Sequence, residues 1–80
     1  MNKVVHKVKE ILVQVLHKEP RDVKYKCKLG SDLGADSTSI HIISAMLEKQ
    51  FVIKITEGEI SVDFTVKDLV NLLVNVKGVK

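Results

Sequence analysis

The sequence predicts an all-α fold: a small helical bundle of antiparallel type, with three main helices, one short helix and a long first loop. Three observations carry this expectation. Apolar residues recur at three- and four-residue steps in three separate stretches, as helices with one buried stripe require. Helix-start chemistry stands at the head of two of them, Asp36-Ser37 before one and Thr65 three residues ahead of Asp68 before the other. The single proline, Pro20, falls where the first stretch gives way to a polar connection.

The first helix is predicted over 3–17. Val4 or Val5, Val8, Ile11, Leu12, Val15 and Leu16 share one side, and Lys3, Lys7, Lys9, Glu10 and Gln14 the other. Residues 18–36 then form a connection longer than compact domains usually keep without a reason. Val23, Tyr25, Leu29 and Leu33 are expected to pin it across the bundle. The second helix is predicted from Ser37 to Gln50 or Phe51, burying Ile40, Ile43, Leu47 and Phe51, with Ile42 and Met46 as a second apolar pair.

Thr56 is expected to cap a short third helix reaching Val62, weakened by Gly58 at a cost of about 1 kcal/mol relative to alanine. Thr65 and Asp68 have capping-box spacing, with aspartate in place of the usual glutamate, and open a last helix to about Val74. Val66, Leu69, Val70, Leu72 and Leu73 supply its apolar positions, and a tail over 76–80 is expected to fray.

Eighty residues make a single domain, 1–80, with little room for an enclosed enzymatic site. No apolar run approaches the length of a membrane span. Met1-Asn2-Lys3-Val4-Val5-His6 lacks the apolar core of a signal peptide, and Cys27 is the only cysteine, so a reducing, cytoplasmic setting is expected. His6, His17 and His41 show no zinc-type pairing, and no metal site is expected. The net charge of +3 divides unevenly: +5 over residues 1–28, −4 over 29–66 and +2 over 67–80. The lysines of the basic part are spread through helix and loop and aromatics are scarce, so nucleic acid is not an expected partner.

The stretch that draws the chain together is Leu33-Gly34-Ala35-Asp36-Ser37-Thr38-Ser39-Ile40, where the long loop meets the second helix. Gly34 permits a close turn. Asp36 and Ser37 are both strong cap residues. A phosphate attached to Ser37 would be favoured by the helix dipole and the unpaired N–H groups of the first turn. Taken alone, Ser37 reads as a plain cap, and only its context makes it a candidate modified site.

Leu33-Gly34-Ala35-Asp36-Ser37 resembles the prosthetic-group attachment site of acyl carrier proteins, Leu-Gly-(Ala/Gly)-Asp-Ser-Leu at the start of the second helix. Thr38 stands where that family has leucine, and Leu29 where it often has phenylalanine. The resemblance continues through Leu47-Glu48, Phe51-Val52-Ile53-Lys54-Ile55 and Phe64-Thr65-Val66-Lys67-Asp68-Leu69, covering residues 3 to 75.

The resemblance implies a free-standing carrier, not an enzyme. Ser37 would accept 4′-phosphopantetheine from coenzyme A by the action of a phosphopantetheinyl transferase, leaving a phosphodiester, hence a phosphoprotein. Asp36, with Gly34, would be part of what the transferase recognises. Acyl synthases or acyltransferases of fatty-acid, specialised-lipid or polyketide synthesis would be the further partners, and a monomer is expected. An acyl chain would enter the bundle among Ile43, Leu47, Phe51, Ile55, Ile60, Val62 and Leu69, although any of these also serves as plain core. Two alternatives remain: a peptidyl or aminoacyl carrier, against which Gly34-Ala35-Asp36 speaks, and a helical interaction domain that has lost the modification.

The second helix of typical acyl carriers is acidic. Here Ser39, Ile42 and Lys49 stand where acids are usual, Glu48 remains, and Thr38, His41 and Ala45 replace apolar contact residues. These seven are the candidate partner surface, and their composition implies a specialised member with a dedicated partner enzyme.

Overall fold

The computed structural model describes residues 2–79. Helix α1 runs Asn2–Leu16, helix α2 Ser37–Phe51 and helix α3 Val66–Asn71, the last continued by a π-turn over Leu72–Val76. A single 3-10 turn, Pro20–Asp22, opens the long loop. Among the described residues there is no β-strand.

Apolar spacing decides the packing. Val4, Val8, Ile11 and Leu12 of α1 meet Ile43 and Leu47 of α2 and Val66, Leu69, Val70 and Leu73 from α3 and its continuation. Ile40 and Phe51, at the two ends of the α2 stripe, are only half-buried. Helix α1 packs chiefly on α2 and also on α3.

The long loop is part of this core. Val23, Leu29 and Leu33 are fully or almost fully buried, as expected, whereas Tyr25 is 38% exposed and does not pin the bundle. The Tyr25 backbone does the holding instead, its carbonyl accepting the Lys67 N–H at 2.9 Å. That bond belongs to a short antiparallel run: Val66 N–H to Cys27 O, Leu29 N–H to Phe64 O and Gly30 N–H to Val62 O, at 2.8–3.0 Å. A β-carbon on Gly30 would stand 2.9 Å from Val62 Cβ and 3.1 Å from Val62 O, so the approach needs glycine there.

One expected helix is corrected. Thr56–Val62 is not a helix: it forms successive turns, with Gly58 at φ +90°, a conformation that no right-handed helix contains. At the end of the chain Lys77 N–H bonds Leu72 O and Val79 N–H bonds Leu73 O; Lys80 lies outside the described residues. The last helix starts where its capping box places it. Thr65 Oγ1 accepts the Asp68 N–H at 3.1 Å, and Asp68 Oδ2 accepts the Thr65 N–H at 3.0 Å.

Candidate functional site

Ser37 is the first helical residue of α2, not its cap. The cap is Asp36, whose extended backbone and side chain let Oδ1 accept the Ser39 N–H at 2.8 Å. The Ile40 N–H is satisfied by the Asp36 carbonyl at 2.9 Å. Gly34, at φ +75°, makes the turn that delivers this cap. Its N–H bonds Gly30 O, and the Ala35 N–H bonds Leu29 O, so the approach to α2 is fastened to the buried part of the loop.

The division of labour matters chemically. With Asp36 capping, the exposed Ser37 hydroxyl makes no hydrogen bond to the described residues. Asp36 stays ionised: the Ser39 backbone N–H, then other first-turn donors, hold its carboxyl below the usual aspartate range. A free hydroxyl thus stands beside a fixed carboxylate at the positive end of a fifteen-residue helix.

From Ser37 a cleft of about 730 Å³ runs along α2. Its α2 wall is made by Thr38, Ile40, His41, Ile42, Ser44, Ala45 and Glu48, and its opposite wall by Ile55, Thr56, Glu57, Gly58, Ile60 and Val62. Of the predicted acyl-pocket residues, Ile55, Ile60 and Val62 line this cleft. Ile43, Leu47 and Leu69 are fully buried in the core, and Phe51 is half-buried at the end of α2.

The predicted partner surface is mostly in the open. Thr38, His41, Ala45 and Lys49 are exposed, and Ile42 is 47% exposed. Ser39 is half-buried, with its N–H committed to Asp36. Glu48 is half-buried too, and its Oε2 accepts the Ile55 N–H at 2.8 Å. The one acid expected on this face therefore ties α2 to the opposite wall.

Sequence reasoning passed over Ile40, Ser44, Thr56, Glu57 and Gly58 as cleft residues. It also passed over Glu59, whose Oε1 accepts from Thr56 N–H, Thr56 Oγ1 and Lys77 Nζ at 2.7–2.8 Å. The Thr56-x-x-Glu59 spacing was a usable signal for the local half of that cluster. Lys24 and Lys26, of the N-terminal lysines expected to be dispersed, line a second hollow of about 540 Å³ with Tyr25, Thr65 and Lys67, sharing no residue with the cleft at Ser37. Among the described residues, no cluster of three His, Cys, Asp or Glu side chains has the arrangement to hold a metal ion. Among the described residues, no helix is long and apolar enough to cross a membrane.

No family model matches the chain. Individual relatives do. The acyl carrier protein of Sulfurovum sp. is 36% identical over 69 residues, covering 86% of this chain and 92% of its own length. That of Campylobacter concisus is 31% identical over 70 residues, covering 88% and 91% respectively. That of Borrelia garinii subsp. bavariensis is 32% identical over 77 residues, 96% of each chain.

Proposed function

The chain belongs to the acyl carrier protein family, and on that premise we propose that Ser37 carries a 4′-phosphopantetheine arm on which acyl groups travel as thioesters. The observation behind this reading is the unbonded Ser37 hydroxyl at the mouth of the cleft, beside the ionised Asp36. A separate phosphopantetheinyl transferase supplies the catalysis. Ser37 Oγ attacks the pantetheine-side phosphorus of coenzyme A, the P–O bond of the pyrophosphate breaks and adenosine 3′,5′-bisphosphate leaves. The serine proton passes to the transferase, and a phosphodiester joins the arm to Ser37. Asp36 Oδ1 is occupied by the Ser39 N–H, which leaves Oδ2 to meet a transferase-bound cation. The arm supplies a terminal thiol, and the protein itself contributes position and shelter.

Shelter comes from the cleft. Ile40, Ile42, Ala45, Ile55, Ile60 and Val62 offer apolar surface along a path that begins at Ser37. Each methylene withdrawn from water there contributes about 0.8 kcal/mol. Ile43, Leu47 and Leu69 are fully buried in the core, and a chain reaches them only by parting α2 from its neighbours. The partners beyond the transferase are acyl synthases or acyltransferases, which must cover the exposed face of α2 to reach Ser37.

Intact mass tests the reading. After incubation with coenzyme A and a broad-specificity transferase, the wild-type protein gains the mass of one arm and Ser37→Ala gains none. A wild-type protein that stays unmodified contradicts it.

A further inference from the structure

The two walls of the cleft are built differently. The α2 wall is a continuous helix, while the wall over residues 55–62 has no helical bonding of its own. Its Ile55 and Ile60 side chains are buried in the core, and hydrogen bonds hold it at three points. At its start, Glu48 Oε2 from α2 accepts the Ile55 N–H. At its end, Val62 O accepts the Gly30 N–H. In the middle, Glu59 Oε1 gathers Thr56 and, from the far end of the chain, Lys77 Nζ at 2.8 Å.

Among the hydrogen bonds of the described residues, the middle attachment is the one that ties this wall to the segment after α3. The Lys77 and Glu59 side chains are only 18% and 25% exposed, so the pair is less screened than one on the open surface. Lys77 is itself fixed, its N–H bonded to Leu72 O within the π-turn. Without the ammonium, Glu59 keeps only Thr56, a partner in the same turn. Gly58, at φ +90°, then provides a pivot between the two outer attachments.

We infer that the Glu59–Lys77 ion pair is a positioning device that sets how far the 55–62 wall stands from α2, and with it the length of acyl chain the cleft shelters. This rests on the reading of Ser37 as the acyl-bearing residue. A chain entering at Ser37 passes Thr38 and Ala45 on one side and Thr56–Gly58 on the other. A longer chain presses on the wall, and the pull of Lys77 on Glu59 opposes its outward movement.

The test uses Lys77→Met, which keeps the stem and removes the charge, and Lys77→Arg, which restores it. In unmodified protein, Lys77→Met raises amide hydrogen exchange at Ile55, Glu59 and Ile60 by about tenfold, leaves α1 unchanged, and Lys77→Arg reverts the effect. Each variant is then loaded through Ser37 with straight-chain acyl groups of increasing length, and the rise in Tm is followed. The rise levels off at a shorter chain in wild type and Lys77→Arg than in Lys77→Met. Unchanged exchange overturns the inference. An arm on Ser37 with the same plateau in all three proteins overturns it alone, whereas no arm by mass overturns both it and the function beneath it.

Discussion

At the scale of residues, the decisive fact is which side chain closes the first turn of α2. Asp36 and Ser37 have equal credentials as caps in the sequence, and backbone position separates them: Asp36 is extended, Ser37 already helical. Their substitutions therefore have different consequences. Asp36→Ala loses the bond to Ser39 N–H and is expected to lower unfolding stability by about 1 kcal/mol. Ser37→Ala is expected to stay within about 0.5 kcal/mol of wild type, the range for surface changes that break no special feature. Urea midpoints decide it. A larger loss at Ser37 than at Asp36 would mean that the serine is the cap and its hydroxyl is not free. Nearby, Gly34 at φ +75° and Val52 at φ +53° bracket α2 with left-handed residues, one a glycine and the other β-branched, strained and 90% exposed.

At the scale of elements, α2 presents a face whose charge differs from what its family resemblance implies. Lys49 is its only exposed charged side chain, since Glu48 is turned to the Ile55 N–H, and Ile42 adds exposed apolar surface. Complementary potentials supply much of the encounter rate between partners, so a near-neutral face forgoes that steering. Offered to a general malonyl transferase and a condensing enzyme, the loaded protein is expected to turn over more slowly than an ordinary acidic carrier. Its rate is also expected to fall less as salt rises. Ser39→Asp, Ile42→Glu and Lys49→Glu combined should recover turnover and salt dependence together. Rates and salt dependence equal to the acidic carrier's would contradict a dedicated partner enzyme.

At the scale of the whole molecule, a chain of this size buries roughly 60% of the surface its unfolded form exposes, so its stability rests on few attachments. Several are carboxylates. Asp36 and Asp68 are held below the usual range by the Ser39 and Thr65 N–H groups, and Glu59 is held at about 2, first by Lys77 and then by Thr56. Each depressed value adds stability that is complete above the ordinary carboxylate range and disappears as pH falls through the folded value. Stability is thus expected to drop as pH falls from about 4.5 toward 2, and the drop should be shallower in Glu59→Gln. An equal drop in that variant would remove Glu59 from the account. The helices were legible because their apolar spacing and caps are local, as Thr65 and Asp68 show. The 56–62 segment was not, because Gly58 takes a left-handed conformation and Glu59 finds Lys77 eighteen residues away, which no local pattern encodes. Ser37 was legible as a position, whereas its freedom from capping follows from the extended backbone of Asp36, and the cleft beside it emerges only when residues 55–62 fold against α2. The most direct test of the central claim is fragment mass spectrometry of the protein isolated from its own cell. The account predicts a phosphopantetheine arm, bare or acylated, on Ser37 and not on Thr38 or Ser39. An arm on either neighbour, or a protein that carries none at all, would contradict it.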